Sequence, residues 1–179
     1  MSRVRIIGGA WRRRFVGFDD AAGLRPTPDA VRETLFNWLG QDLSGLACLD
    51  LFAGSGVLGF EAASRGAAHV TLVERDRRIL ARLRENAAAL GNGRLELVGA
   101  DALKFLGRTT RRYDLLFLDP PYRQGWIERI APLLPAVLAA GARIYAEAER
   151  PIERIDAWRT ARSGQAGQVF YHLLEAAQP

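Results

Sequence analysis

The sequence has little cysteine and histidine, and these shortages exclude common stabilising and metal-binding features. Cys48 is the only cysteine among 179 residues, so the chain cannot form an internal disulfide. With one cysteine and two histidines, a zinc site of the usual kind is not expected, and we predict no metal. A single domain of this length buries a core large enough to be stable without such cross-links.

Long apolar segments are also missing. The longest run, at 130–140, is too short to span a bilayer and contains two prolines. The first nine residues have no long apolar stretch after their arginines, as a signal peptide would. We therefore expect a cytoplasmic protein without a membrane partner, and we take it to be a monomer.

Lysine is nearly absent too, and the positive charge is unevenly distributed. Lys104 is the only lysine among 25 basic residues, and the formal net charge is +5. Most of that charge lies in residues 1–25, which contain two aspartates and six arginines: Arg3, Arg5, Arg12, Arg13, Arg14 and Arg25. Such a segment indicates a polyanionic partner, but a solvated tail in an arginine-rich proteome explains the charge equally well.

The N-terminal part predicts a hairpin followed by a helix. Residues 6–9 and 14–16 have the composition of two short strands around a turn. A helix is expected to follow, with Thr27 as its cap, Pro28 in its first position and Gly40 at its end.

From residue 46 onward, strand-like and helix-like segments alternate. Strands are predicted at 47–52, 70–73, 95–98, 113–118 and 143–146, and helices at 57–65, 76–90, 101–107 and 125–140. The strands are apolar enough to be buried on both faces, which is typical of a parallel sheet covered by helices. After a turn at 163–167, a last strand at 169–174 is expected to pair antiparallel with a strand near 158–162. Ligands of such sheets bind beyond the carboxyl ends of the strands.

A glycine-rich motif follows the first of these parallel strands. Gly54, Gly56 and Gly59 match the pattern G-x-G-x-x-G, in which glycine permits a tight turn and a close approach of the ligand. Glu74 comes twenty residues after Gly54, at the end of the next strand. A carboxylate there can accept hydrogen bonds from both hydroxyls of a ribose, so the pattern indicates a nucleotide-containing cofactor.

Two cofactors satisfy this pattern, NAD(H) and S-adenosylmethionine. The chain is short for a second nucleotide-binding half together with a substrate domain. Asp50 precedes the glycine loop, where its carboxylate would repel a pyrophosphate but attract the ammonium group of an amino acid. Both features favour S-adenosylmethionine.

A second motif, Asp119-Pro120-Pro121-Tyr122, ends the strand predicted at 113–118. The two prolines prevent further strand pairing and stiffen the loop, which holds a carboxylate, a carbonyl and an aromatic ring in a fixed relation. Asp119 and the Pro120 carbonyl can accept the hydrogens of an exocyclic base amine and direct its lone pair at a methyl group. Tyr122 can stack on the base.

The two motifs together resemble the amino-group N-methyltransferases of nucleic acids. Four further segments narrow the resemblance to the RsmD family, and the match covers nearly the whole chain. These segments are RIIGG at 5–9, LRPT at 24–27, VRETLFNWL at 31–39 and LGFEAASRG at 58–66. One departure is Tyr122, because relatives often have phenylalanine at that place.

This resemblance implies both a fold and an activity. The fold would be α/β, the Rossmann-like class I methyltransferase fold, with a seven-stranded, mainly parallel sheet whose last strand is antiparallel. The charge distribution adds the expectation that a basic hairpin arm at 1–23 binds RNA and that a methyltransferase domain occupies 24–179. The activity would be methyl transfer from S-adenosylmethionine to N2 of a guanine in 16S rRNA, within an assembling 30S subunit.

The motifs and the resemblance together predict three groups of site residues. The catalytic residues are Asp119, Pro120 and Tyr122, with Asp119 acting either as a base or only as a hydrogen-bond acceptor. The cofactor-binding residues are Asp50, Phe52, Gly54, Ser55, Gly56, Glu74, Asp101 and Asp119, of which Asp101 is equally suited to cap a helix. The RNA-binding residues are Arg3, Arg5, Arg12, Arg13, Arg14, Arg25 and Arg123.

Three alternatives stay open at this point. The same chemistry could act on another amine, such as adenine N6 in DNA. The glycine motif is also compatible with an NAD-dependent oxidoreductase. An RNA-binding or ribosome-assembly module without catalysis is the third, and the intact D-P-P-Y motif argues against it.

Overall fold

The computed structural model of the protein describes residues 1–20, 23–91 and 93–177. Its described strands are β1 (Ser2–Arg5), β2 (Phe15–Phe18), β3 (Ala47–Asp50), β4 (His69–Val73), β5 (Leu95–Val98), β6 (Tyr113–Leu118), β7 (Leu138–Ala148), β8 (Arg154–Ile155), β9 (Trp158–Ala166) and β10 (Val169–Ala176). Its described α-helices are α1 (Asp29–Leu39), α2 (Val57–Ser64), α3 (Arg77–Leu90), α4 (Ala102–Leu106), α5 (Trp126–Ile130) and α6 (Leu134–Val137). None of these helices combines the length and the apolar character needed to cross a membrane.

One large sheet organises the molecule. Its strand order is β5-β4-β3-β6-β7-β10-β9-β8, and β5, β4, β3, β6 and β7 run parallel. Strand β10 is antiparallel to both of its neighbours, β7 and β9. The predicted class I fold is confirmed, and the two-residue β8 is an addition to the seven expected strands. The carboxyl ends of the parallel strands meet at one edge, where the two motifs lie.

Apolar side chains pack on both faces of this sheet. One buried cluster joins the helices α1, α2 and α3 to the sheet through Leu35, Phe60 and Leu83. The other joins α4, α5 and α6 to the opposite face through side chains such as Leu106 and Ile130. This double cover explains why the parallel strands are apolar along their whole length.

The N-terminal hairpin of β1 and β2 packs against the domain. Ile6 and Val16 are fully buried in the same core cluster as α2. Ser64 at the end of α2 accepts a hydrogen bond from the Trp11 N–H at 2.9 Å and donates one to the Gly8 carbonyl at 2.6 Å. The hairpin is therefore part of the folded core. The predicted boundary after residue 23 follows residues 21–22, which lie outside the described residues, and the division into two domains stays a prediction.

A buried ionic cluster also ties the hairpin to the helices. Glu61 on α2 pairs with Arg32 on α1 at 2.5 Å and with Arg65 at 3.3 Å, and it accepts the Ile7 N–H at 2.7 Å. Arg32 in turn donates to the Arg5 carbonyl at 2.8 Å. Removing one member would leave a buried charge without its partner, which costs about 3–5 kcal/mol of folding free energy.

Three predicted boundaries are wrong, each for a local reason. The strand predicted at 6–9 does not form because Ile6 makes the last backbone hydrogen bonds across the hairpin, to Arg13 and Arg14, and the chain then turns at Gly9, whose φ is 74°. The segment 125–140 is not one helix, since Pro132 and Pro135 lack N–H groups and β7 already begins at Leu138. The turn predicted at 163–167 lies mostly inside β9, and the chain reverses after residue 166 instead.

Candidate active site

A cavity of about 840 Å³ opens at the carboxyl edge of the sheet. It lies over the ends of β3, β4, β6 and β7 and is covered on one side by the loop 23–28. The predicted site residues that line it are Asp50, Phe52, Gly54, Ser55, Glu74, Asp101, Asp119, Pro120, Tyr122 and Arg25. The structure therefore brings the two sequence motifs together in one place, as the parallel topology requires.

The glycine loop is held by the carboxylate predicted to bind ribose. Glu74 accepts the Gly54 N–H through Oε2 at 3.1 Å and the Asp76 N–H through Oε1 at 2.8 Å. Gly54 has a φ of 53°, in the left-handed region that glycine adopts without strain. Glu74 thus fixes the loop at the cavity and still has oxygen lone pairs free for a diol.

Gly56 is the predicted cofactor residue that does not line the cavity. It precedes α2 with a φ of 77°, and a β-carbon there would lie 2.5 Å from Leu83 Cδ2 and 2.6 Å from Phe60 Cε2. Its contribution to the motif is to let the chain turn tightly against the core beneath the cavity.

Asp50 lies at the end of β3 with its carboxylate almost fully buried. Its Oδ2 accepts the Gly59 N–H at 3.1 Å, which links the strand to the start of α2. Burial raises the pKa of Asp50 to about 8, and the nearby carboxylates of Glu74 and Glu147 add to the shift. A positively charged ligand group would relieve this penalty, so the site favours a cation.

Asp101 takes the structural role that the sequence left open. Its Oδ1 accepts the N–H groups of Leu103 at 2.9 Å and Lys104 at 3.4 Å, which caps α4. It also lines the cavity. Helix capping is therefore observed, and contact with a ligand stays a prediction.

The D-P-P-Y loop leaves β6 and enters the cavity. Pro120 is buried, whereas Tyr122 is 41% exposed, so one face of its ring is accessible. The Asp119 carboxylate accepts no hydrogen bond from any described residue. Burial raises the pKa of Asp119 well above its ordinary value, and the carboxylates of Glu147 and Asp50 raise it further. Asp119 is only partly exposed, and a carboxylate with a raised pKa and no protein partner at a cavity indicates contact with a ligand.

The sequence analysis missed one aromatic wall of the cavity. Trp126, the first residue of α5, packs edge-to-face against Phe52 with ring centroids 5.1 Å apart and ring planes inclined at 69°. The Arg129 guanidinium carbon lies over the ring of the same tryptophan, 4.3 Å from its centroid. The sequence signal for this residue was a tryptophan shortly after the D-P-P-Y loop. The direction of its side chain, however, depends on the turn between the loop and the tryptophan.

A second missed residue is Glu147, near the end of β7. Its Oε1 accepts the hydroxyl groups of Thr27 at 2.7 Å and Tyr145 at 2.9 Å, and it lines the cavity beside Asp119. The prediction that Thr27 caps α1 is wrong, because Pro28 occupies that position and no side chain caps the helix. The glutamate attracts the Thr27 hydroxyl instead, and this bond fixes the loop 23–28 over the cavity.

The predicted RNA-binding arginines lie in three places. Arg25 lines the cavity. The five predicted arginines that precede it are exposed on the N-terminal hairpin: Arg3, Arg5, Arg12, Arg13 and Arg14. Within the hairpin, Arg5 pairs with Asp29 at 3.0 Å and Arg14 donates to the Ala89 carbonyl at 2.7 Å. Arg123 is exposed beside the D-P-P-Y loop, with its Nε 3.6 Å from Glu149 Oε2.

Comparisons with known proteins agree with this architecture. A family profile described as conserved hypothetical protein 95 matches residues 4–175. The protein named ribosomal RNA small subunit methyltransferase D of Escherichia coli (strain K12) is 44% identical over 178 residues, covering 97% of this chain and 90% of that protein. The protein of the same name from Haemophilus influenzae is 39% identical over 180 residues, covering 96% and 93%.

Solved structures of similar proteins share the fold of this chain. The structure of the Escherichia coli protein yhhF has a TM-score of 0.89 and 44% identity, covering 99% of this chain and all of that one. An RNA methyltransferase from Salinibacter ruber, solved with S-adenosyl-L-homocysteine, has a TM-score of 0.69 at 18% identity, covering 87% and 95%, and shares the fold. The near full-length match at this identity, over both motifs and the hairpin, shows that the chain belongs to the RsmD family of small-subunit ribosomal RNA methyltransferases.

Proposed function

We propose that this protein transfers a methyl group from S-adenosylmethionine to the exocyclic N2 amine of a guanine in small-subunit rRNA, on an assembling 30S particle. Its family shows that the protein is an S-adenosylmethionine-dependent rRNA methyltransferase. The observation that supports methylation of a base amine is the Asp119 carboxylate at the end of a parallel strand, which accepts no hydrogen bond from a described residue and lies near an exposed Tyr122 ring.

The cavity fits the methyl donor. Asp50, Asp119 and Glu147 are carboxylates that line it, and none of them forms an ion pair with a described residue. Such a site attracts a cation and repels the pyrophosphate of a dinucleotide. We assign the ribose hydroxyls to Glu74 and the ammonium group to Asp50, and Gly54 allows the close approach of the ligand to the backbone. When bound, S-adenosylmethionine supplies a methyl group on a positively charged sulfur.

The D-P-P-Y loop would activate the base. The lone pair of an exocyclic base amine is delocalised into the ring, so the amine is a weak nucleophile. Asp119 and the Pro120 carbonyl would accept the two amine hydrogens and turn the lone pair out of conjugation. Asp119 then takes the released proton, a role worth about 10²–10⁴-fold in rate. Tyr122 would stack on the base, which contributes about 1–3 kcal/mol to its binding.

The test is methyl transfer in vitro with labelled donor and undermethylated small subunits. Asp119→Ala should lower turnover by about 10²-fold or more while donor binding changes far less. Glu153→Ala, which removes an exposed carboxylate away from the cavity, should behave like the unmodified protein. Near-normal turnover of Asp119→Ala would refute the catalytic assignment, and methylated adenine as the product would refute the base assignment.

A further inference from the structure

Glu147 lies next to Asp119 by the register of the sheet. Leu118 on β6 pairs with Ala146 on β7, so the residues that follow each of them are neighbours at the carboxyl edge. The rings of Phe117 and Tyr145, two positions earlier on the two strands, meet at 6.4 Å. Side chains alternate along strands with a period of two, so Asp119 and Glu147 project toward the same side, and both line the cavity.

Only one carboxylate oxygen of Glu147 accepts hydrogen bonds from described residues. Both hydroxyl donors, from Thr27 and Tyr145, bind Oε1, and Oε2 accepts no hydrogen bond from the part of the chain that the structure describes. The residue is only 6% exposed, and Oε2 is not among the fully enclosed polar atoms that lack a partner, so this oxygen is accessible at the cavity that Glu147 lines. Burial raises the pKa of Glu147, which shows that the carboxylate is held at a cost. A hydrogen bond from a ligand to Oε2 would offset this desolvation penalty.

We infer that Glu147 selects guanine by accepting the N1–H hydrogen bond at Oε2 while Asp119 accepts from the neighbouring N2 amine. This inference rests on the proposed function and names the residue that sets its base preference. Guanine presents N1–H and the N2 amine as adjacent donors, and two adjacent carboxylates present matching acceptors. Adenine presents an acceptor at N1 beside its amine, so the Glu147 carboxylate repels it.

The expected selectivity is large. A site built to bind a substrate N–H rejects an analogue that lacks it by about 10⁴–10⁵-fold at the upper end, because the polar group of the site is left without a partner. Bases that leave their helix for reaction are read through their Watson–Crick edge in this way. The carboxylate pair therefore provides catalysis and base choice from neighbouring strands.

A merely structural role for Glu147 would be to hold the loop 23–28 through Thr27. The substitution Glu147→Gln separates the two roles, because the amide carbonyl still accepts from Thr27 and Tyr145, whereas Oε2 becomes an N–H donor. The matched control is Thr27→Val, which removes the hydroxyl that donates to Glu147 Oε1 and leaves the Glu147 carboxylate in place. A second control is Tyr145→Phe, which removes the other donor.

The experiment compares small subunits that carry guanosine or 2-aminopurine riboside at the target position. The analogue keeps the 2-amine but has an unprotonated N1, and 6-thioguanosine, which keeps N1–H, controls for the changed C6 group. For the unmodified protein, kcat/KM should favour guanosine over 2-aminopurine by at least about 100-fold. Glu147→Gln should reduce that ratio at least tenfold, since its amide can donate to N1, and Thr27→Val and Tyr145→Phe should leave the ratio unchanged.

Several results would overturn the inference. One is equal use of guanosine and 2-aminopurine by the unmodified protein, which needs no variant to fold. Another is a ratio that Glu147→Gln leaves unchanged, or that Thr27→Val lowers as much. Absence of N2-methylguanosine from the guanosine particle would refute the proposed function itself, whereas its presence with an unchanged ratio would refute the role of Glu147 alone.

Discussion

Single residues in the cavity differ chiefly in how their charge is compensated. Glu74 is neutralised in part by two backbone N–H groups, and Asp50 by one, at 3.1 Å. Asp119 has no such partner among the described residues. The cavity therefore destabilises the protein without its ligands, and the binding of a cationic donor and an amine compensates for this. Active sites commonly combine low stability with function in this way.

The pH dependence of stability follows from Asp50. Its pKa rises from 3.8 to about 8 on folding because the carboxyl group is buried. The folded state therefore holds a proton that the unfolded state has lost, and stability falls as pH rises from about 4 toward 8. Asp50→Asn removes this loss, so its free energy of unfolding should exceed that of the unmodified protein by about 0.5–2 kcal/mol at pH 8.

Urea unfolding at pH 8 and pH 5.5 measures this difference, which should be smaller at the lower pH. Calorimetry should show at least tenfold weaker binding of S-adenosylmethionine by Asp50→Asn, equal to about 1.4 kcal/mol. Glu153→Gln, at an exposed position, should change neither quantity. A variant that is less stable than the unmodified protein at pH 8 would contradict the role of Asp50.

At the scale of elements, the hairpin presents charge outward while its other face is part of the core. Ile6 and Val16 are fully buried, so deleting the hairpin would open the core and would not isolate RNA binding. Arg5 and Arg14 already have partners in Asp29 and the Ala89 carbonyl. The remaining hairpin arginines are the exposed Arg3, Arg12 and Arg13, which form no ion pair with a described carboxylate.

Replacing Arg3, Arg12 and Arg13 with glutamine should therefore weaken RNA binding at least tenfold near physiological salt. The slope of log affinity against log salt should fall by about 2–3, because each phosphate contact contributes about one unit. The matched control replaces three exposed arginines away from the cavity, Arg108, Arg111 and Arg159. Filter binding over a salt series measures both variants, and equal losses would refute a specific role for the hairpin.

The sequence predicted elements well where pattern and local chemistry agree. The parallel strands, the glycine loop after β3 and the D-P-P-Y loop after β6 were all expected, because strand-end motifs depend on short-range sequence. Glu147 was missed because its role depends on β7 lying beside β6, which only the sheet order determines. Thr27 was assigned to its own helix for the same reason: its partner is 120 residues away.

At the scale of the whole molecule, the fold separates two tasks. The parallel strands gather acidic side chains at one edge, and most of the net positive charge lies in the first 25 residues. The N-terminal hairpin is docked on α2, whereas the cavity opens over the sheet edge, so we expect an RNA target to contact both regions together. The residues after 25 are nearly neutral overall and form the acidic cavity for a cationic donor, although the whole chain has a net charge of +5.

The central claim is that this protein methylates a guanine N2 amine in small-subunit rRNA through Asp119. The most direct measurement is nucleoside mass spectrometry of rRNA from cells that lack the protein, complemented with the unmodified protein or with Asp119→Ala. We predict that one N2-methylguanosine disappears from small-subunit rRNA in the deletion strain, returns with the unmodified protein and stays absent with Asp119→Ala. An unchanged N2-methylguanosine content in the deletion strain, or full restoration by Asp119→Ala, would contradict the claim.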